Sequence, residues 1–433
     1  MTNKTSINAL ALILISTIGL AGCGQQETST ADVSDLEEQE MVEKEDQNES
    51  EVEEQDETAG EEISEESEEE INEDEIESTI FGNQEDFVYI SADRLSVRAN
   101  SSEESETLGS LARGNEVKVL EEIESEETTW FKINYQNSEN NEGWISSEFT
   151  VADINELHSS PMIFEDEEMN EYFTSPTLFE DNTVVAYYGH PNSEVMGIVG
   201  RHPIPDLISL LNETTDSYDA VDDSKGAIPA IYLVYGTVQP GGEIYKMDYD
   251  LVMSYIEAAY QSGVLVYIDH QIGKHAPTFA INEIVSFMRY PNVHLALDPE
   301  WRTDRPMQEV GHLTGTEING IQESMRDYIV SNEIQGTKQF VFHQFIEKMI
   351  RESGDITSDY DPVLLVHNTS GWGSPDGKRT THDRNAETTN IPYKGFKLWY
   401  HFSDQAGVHY DDPLMTPEQV LDLDPQPGLV IYQ

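Results

Sequence analysis

Asp298 and Glu300 stand two residues apart at the end of an apolar run, in Leu297-Asp298-Pro299-Glu300-Trp301. On a strand, that spacing puts both carboxylates on one face, together with His294 and Ala296. Two neighbouring carboxylates do not ionise independently. One is pushed to a higher pKa and can serve as an acid while the other keeps its charge. Cleavage of a glycosidic bond needs that division of labour. Asp269 ends the apolar run Val264–Asp269 and is the candidate for a further carboxylate. The expected catalytic residues are therefore Asp298, Glu300 and Asp269.

Other polar and aromatic residues also close apolar runs. Tyr188 and His190 end one, His270 another, and Trp301 follows Glu300. His343 with Gln344, then His367, then Trp399 end three more, and Gln433 is the last residue. Trp372 lies in the Gly-rich stretch Ser370-Gly371-Trp372-Gly373. These residues are expected to bind substrate, the rings by stacking on sugars. A competing expectation is a metal, because His343 and His367 end consecutive runs and Asp269, His270 and His190 add possible ligands. The His-x-His that opens metal-dependent barrel hydrolases is absent, since Tyr188-Gly189-His190 stands there, and so is their strand-four Lys. The reading therefore assigns no metal and no cofactor. Lys397, inside Phe396-Lys397-Leu398-Trp399, shares a face with Trp399. If that face is interior, Lys397 needs a carboxylate partner, and Asp269 or Asp298 could serve.

Eight apolar, β-rich runs position these residues: Val184–Tyr188, Ile228–Tyr235, Val264–Asp269, Val293–Asp298, Gln339–Gln344, Val363–His367, Phe396–Tyr400 and Leu429–Tyr432. Helical patterns fall between most of them, at Ile204–Leu211, Tyr249–Ser262, Ala280–Met288, Glu317–Ser331 and Phe345–Glu352. Eight strands alternating with helices over residues 155–433 predict an α/β (β/α)8 barrel of the TIM type. A doubly wound sheet is the alternative, but no Gly-x-Gly-x-x-Gly follows a strand. In a barrel the site forms at the C-terminal strand ends. With the last strand at the last residue, no eighth helix is expected, and Tyr432 and Gln433 lie at the mouth.

Asp298-Pro299-Glu300 distantly resembles the end of the chitinase-type signature, whose preceding Asp would fall at Ala296. That departure leaves the family's substrate-assisted mechanism without one of its residues. Leu297–Trp301, His343-Gln344-Phe345, Gly395-Phe396-Lys397 and Ile431-Tyr432-Gln433 resemble a group of secreted lipoproteins of Gram-positive bacteria. That resemblance implies location and domain order and no reaction.

Residues 84–151 carry short alternating runs separated by turn residues, which predict a small all-β barrel. Leu95-x-Val97-Arg98, Leu108-Gly109-x-Leu111-x-x-Gly114-x-x-Val117-x-Val119-Leu120, Trp130-x-Lys132-Ile133 and Gly143-Trp144-Ile145 resemble a bacterial SH3-like domain. Such domains bind peptidoglycan or wall peptides, so the resemblance implies a wall partner. Trp130 reads as a packing residue, and Trp144 as packing or groove.

The N-terminal part sets the expected location. Lys4, an apolar run from Ala9 to Leu20, and Leu20-Ala21-Gly22-Cys23 resemble a bacterial lipoprotein precursor. The resemblance implies a signal peptide at 1–22, lipid on Cys23, and a membrane anchor on the outer face of the cytoplasmic membrane. Cys23 is the only cysteine, which excludes internal disulfides, and its lipidation would exclude thiol catalysis. Residues 23–82 read as a lipidated Cys and a disordered acidic tether. The net charge of −62 leaves no clustered Lys and Arg for phosphate, which excludes nucleic acid as a partner. Three readings compete: a cell-surface glycan hydrolase, a non-catalytic wall- or ligand-binding lipoprotein, and a metal-dependent hydrolase.

Overall fold

The computed structural model describes residues 87–433, apart from residues 93, 126–127, 136–140, 158–163, 223 and 406–407. The signal, Cys23 and the acidic tether lie outside the described residues.

The first domain is a small β domain with a seven-stranded antiparallel sheet. Its strands are β1 (Phe87–Ile90), β2 (Arg94–Arg98), β3 (Thr107–Ala112), β4 (Glu116–Ser125), β5 (Thr128–Asn134), β6 (Glu142–Ser146) and β7 (Thr150–Val151). They pair in the order β3-β2-β6-β5-β4-β1-β7. Ile90, Val97, Ile133 and Ile145 fill its core and are fully buried, because alternation sends every second side chain inward. Trp130 is buried as a packing residue, whereas Trp144 is half-buried with the Lys132 ammonium 6.0 Å from its ring.

The second domain begins with two short helices, α1 (Glu167–Phe173) and α2 (Leu178–Asp181). Then follow β8 (Asn182–Gly189), α3 (Ile204–Asp219), β9 (Gly226–Val238), a hairpin strand β10 (Ile244–Lys246) and α4 (Tyr249–Gln261). The chain continues through β11 (Leu265–Gln271), α5 (Pro277–Asn282), β12 (Val293–Asp298), β13 (Leu313–Thr314), α6 (Gly315–Ser331) and β14 (Lys338–Gln344). It ends with β15 (Ile350–Arg351), β16 (Val363–Thr369), α7 (Pro375–Ala386), β17 (Tyr393–Leu398), α8 (Pro417–Leu421) and β18 (Leu429–Tyr432). The eight strands β8, β9, β11, β12, β14, β16, β17 and β18 pair in parallel, and β8 closes on β9. This is the closed (β/α)8 barrel expected from the runs.

Two expected helices differ. Phe345–Glu352 is a single 3₁₀ turn followed by β15, which pairs with β13, because buried Ile350 is recruited opposite Leu313. Ala280–Met288 divides into the end of α5 and a 3₁₀ turn at Val285–Arg289. Helix α7 had no apolar period to announce it; it is capped by Ser374, whose hydroxyl accepts the Gly377 amide. Strand β17 starts at Tyr393, ahead of the expected Phe396.

The two domains share a packed interface. Phe279 of α5 completes the core of the first domain. Asn115 donates to the Glu283 carbonyl at 2.9 Å, and Ser286 donates to the Gly114 carbonyl at 3.1 Å. Gly114 has a left-handed φ of 82° and sits so close to the Tyr249 ring that a side chain would collide with it. Arg289 bonds Glu116, Tyr328 and Asn332 at one point.

Candidate active site

Parity on the barrel strands decides what faces the interior. Tyr188, Tyr232 and Tyr267 line one inner wall from β8, β9 and β11, with ring centroids 5.3 and 5.2 Å apart along the series. Val184, Ala186, Ala296, Val341, Val366 and Ile431 form the apolar interior around them. Above these, towards the C-terminal strand ends, the same parity presents Asp269 (β11), Asp298 (β12), His343 (β14), Asn368 (β16) and Lys397 (β17). All five are at most 5% exposed. Burial of such a layer carries a cost that its own hydrogen bonds and charge pairs must offset.

The groups meet directly. Donor atoms of Asp269, Asp298 and His343 all lie within 4.8 Å of one another. His343 Nε2 is 3.7 Å from Asp269 Oδ2 and 2.9 Å from the Tyr232 hydroxyl. Asn368 Nδ2 lies 2.9 Å from His343 Nδ1. With Nδ1 accepting from that amide, the neutral ring carries its proton on Nε2 and donates to Tyr232. Gly395 faces Asn368 across β16 and β17, and a Cβ there would come within 2.5 Å of the Asn368 amide oxygen. The Tyr188 hydroxyl donates to Asp269 Oδ2 at 3.5 Å, while Asp269 Oδ1 is buried without a partner. Asp298 caps the short turn Pro299–Trp301 by accepting the Glu300 amide at 3.2 Å. The Lys397 ammonium sits 3.5 Å from the centroid of the Tyr188 ring and 4.7 Å from that of Trp399.

Electrostatics separates the carboxyls. Burial raises the Asp298 pKa to about 6, against the opposing pull of Lys397 and the Glu300 amide. Burial and the Asp298 charge raise Glu300 to about 8. Burial, then Asp298, holds Asp269 well above the usual carboxylate range. Burial lowers Lys397 to about 8, although all three carboxylates favour its charged form. Burial and Lys397 keep the His343 ring neutral. At neutral pH the layer therefore offers a protonated Glu300, an ionised Asp298 and a charged Lys397 side by side.

The structure brings together Asp269, Asp298, Glu300, Tyr188 and His343, with Trp399 at their edge. His270, Gln344 and His367 have the opposite parity and leave the expected substrate site for the outer layer. His270 meets Glu283 at 3.0 Å, and its ring fills the space left by Gly236. His367 stacks on Phe342 and bonds Gln344 at 2.7 Å, so these two residues pair with each other behind the strands. His190 holds a turn at the end of β8 by accepting the Asn192 amide. Trp301 fixes the neighbouring loop through its carbonyl, which accepts the Gly273 amide. Gln433 pairs by its backbone with Leu398 and Tyr400 at the rim, its side-chain oxygen buried without a partner. Trp372 stands 44% exposed on the lip after β16.

Sequence reasoning placed Lys397 beside the carboxylates only conditionally, and it missed Tyr232 and Asn368. The usable signal was parity: once Asp269 and Asp298 face inward, register pairing puts Tyr232, Asn368 and Lys397 on the same face.

Residues 93–151 match the bacterial SH3 domain family. No curated protein sequence matches the chain. Among solved structures, a GH18 chitinase of Flavobacterium johnsoniae is similar with a TM-score of 0.34 and 11% identity, over 58% of this chain and 87% of that one. A GH113 β-1,4-mannanase gives a TM-score of 0.30 and 10% identity over the same shares. Bacteroides uniformis β-glucuronidase 2 gives 0.33 and 9%, over 80% of this chain and 42% of its own. Likeness at this level decides nothing about chemistry, and the barrel rests on its own strand pairing. The chain thus joins a bacterial SH3 domain to a closed (β/α)8 barrel with a buried carboxylate, lysine and histidine layer at its mouth.

Proposed function

We propose that the barrel is a hydrolase of a cell-wall or extracellular glycan, acting at the bacterial surface. The observation that carries this reading is the meeting of Asp269, Asp298 and Lys397 in one buried layer at the C-terminal mouth, with the half-buried Glu300 next to Asp298. Glu300, held protonated, gives its proton to the glycosidic oxygen as the bond to the anomeric carbon breaks. Asp298 supplies the negative charge that an oxocarbenium-like transition state needs. Water adds to the anomeric carbon and its proton returns to the carboxyl layer, so atoms and charge balance. Asp269, with an unpartnered oxygen, and Tyr188 hold sugar hydroxyls. Lys397 keeps Asp298 ionised in surroundings that would otherwise protonate it.

The surface location rests on Leu20-Ala21-Gly22-Cys23, with lipid on Cys23 anchoring the chain to the membrane. The SH3-like domain supplies the wall contact, to peptidoglycan. A digest of peptidoglycan and β-linked polysaccharides, followed by mass spectrometry, tests the activity. New fragments, each carrying one added water per cleavage, are the expected result. Retention of wall fragments with no cleavage product would favour the non-catalytic binding reading instead.

One observation favours a second reading, metal-dependent hydrolysis: the shared reach of Asp269, Asp298 and His343 donor atoms within 4.8 Å. A divalent ion held there would polarise a bound water. The Tyr232 hydroxyl on His343 Nε2 and the nearby Lys397 charge oppose it. Elemental analysis of the purified protein with activity before and after chelation separates the two readings.

A further inference from the structure

The lip of the mouth is built around a buried ion pair that the carboxylate chemistry does not use. Lys378 of α7 and Asp411 lie 3.1 Å apart, with side chains at most 1% exposed. Asp411 Oδ1 accepts the Gly373 amide and Oδ2 accepts the Trp399 amide, each at 2.9 Å. The Lys378 ammonium donates to the carbonyls of Gly371 and Lys397 at 2.6 and 2.5 Å. One carboxylate and one ammonium therefore tie the loop after β16 to the end of β17 and to the 399–412 segment. A buried pair is a poor way to gain stability, since apolar side chains of equal size do as well. What it gives is fixed geometry.

The geometry it fixes is aromatic. Trp399 borders the reacting layer, where Lys397 touches its ring, and its indole N–H donates to the Ser370 carbonyl at 2.9 Å. Trp372 is the next ring outward, 5.8 Å from Trp399 and nearly perpendicular to it. His409 backs one face of Trp372 at 3.8 Å and 14°, yet the indole remains 44% exposed. A large ring braced from behind and left open to solvent is a surface for another flat apolar face. The faces of pyranose rings are such surfaces.

We propose that Trp399 and Trp372 form two successive sugar-stacking subsites, positioned by Lys378 and Asp411, so that the ligand is an oligosaccharide of more than one ring. This rests on the glycan reading of the carboxylate layer and specifies its substrate as polymeric. Lys378 and Asp411 act as positioning residues, because they reach the sugar only through the tryptophans.

The test measures binding of β-1,4-linked disaccharides and tetrasaccharides of N-acetylglucosamine, glucose and mannose to the full chain carrying Glu300→Gln, by calorimetry. At least one tetrasaccharide is expected to bind about tenfold tighter than its disaccharide, a gain of the size one aromatic contact supplies. Adding Trp372→Ala should remove that gain. Adding Lys378→Met should shrink it while the disaccharide still binds, and Lys378→Arg should restore part of it, which a role in folding alone would not produce. Equal binding of short and long chains, a gain that survives Trp372→Ala, or no binding of any probe would each overturn the proposal. If the wild-type chain binds with the gain but releases no cleavage products, the hydrolase reading fails and the subsites stand.

Discussion

Asp298 accepts the backbone amide of Glu300 at 3.2 Å, so the first carboxylate of the pair sets the position of the second. Pro299 between them starts the turn, and Glu300 leaves the strand in a fixed direction. The two carboxyls are coupled through charge as well as geometry, because the Asp298 charge helps to raise Glu300.

Asp298→Asn keeps the shape of that turn and removes the charge. The Glu300 pKa then falls from about 8, since one cause of its rise is gone. The alkaline limb of the pH–rate profile should move to lower pH, and kcat should drop by about 100-fold or more, as for loss of a group that stabilises transition-state charge. Steady-state kinetics across pH check both.

The wild-type profile itself is constrained. Activity requires Asp298 ionised and Glu300 protonated. Asp298 loses its charge as the pH falls through about 6, and Glu300 loses its proton as the pH rises through about 8. The profile of kcat/KM should be a bell with its maximum between those limbs. A profile rising steadily to high pH would contradict this assignment of acid and charge carrier.

Lys397→Met removes the cation that holds the Asp298 pKa down. Lys397 holds the Glu300 pKa down as well, so both limbs of the bell should move to higher pH, with kcat reduced about tenfold or more. Met keeps the unbranched stem against Tyr188 and Trp399, so the melting temperature should change little. The pair of measurements separates an electrostatic role from a packing one.

Much of this was legible in the chain because apolar runs and their polar ends announce a barrel and its mouth. Asp269 and Asp298 could be singled out because each closes a largely apolar run, and Glu300 because it stands two residues beyond Asp298. His270 and His367 misled for the same reason: they also end such runs, and run ends do not carry parity. A residue at a strand end faces the pocket or the outer helices according to a one-residue shift. That shift becomes visible only through register, where Asp269 pairs with Ala296 and Asn368 with Gly395. The Lys378–Asp411 tie was invisible because its partners are 33 residues apart and neither lies in an apolar pattern. Helix α7 escaped notice for a similar reason, being polar along most of its length and recognisable only by its Ser374 cap.

A prediction on stability concerns the opposite end of the barrel. The Lys338 ammonium is buried and donates to the carbonyls of Tyr290, Pro291 and Val293 at 2.9, 3.0 and 3.1 Å. Lys338→Met removes the one donor that these three carbonyls share, and the Tyr290 carbonyl keeps the Val293 amide as its partner at 3.1 Å. A loss of about 3 kcal/mol in unfolding free energy is expected, with the chemistry at the mouth intact. Denaturant unfolding followed by fluorescence measures it.

The central claim is that Glu300 is the acid that protonates the departing sugar oxygen. The most direct measurement is release of reducing ends from a glycan that the wild-type chain cleaves, compared between wild type and Glu300→Gln at matched melting temperature. A fall in kcat of about 1,000-fold or more, with the fold preserved, is the expected result. Turnover by Glu300→Gln within a few-fold of wild type would contradict the account.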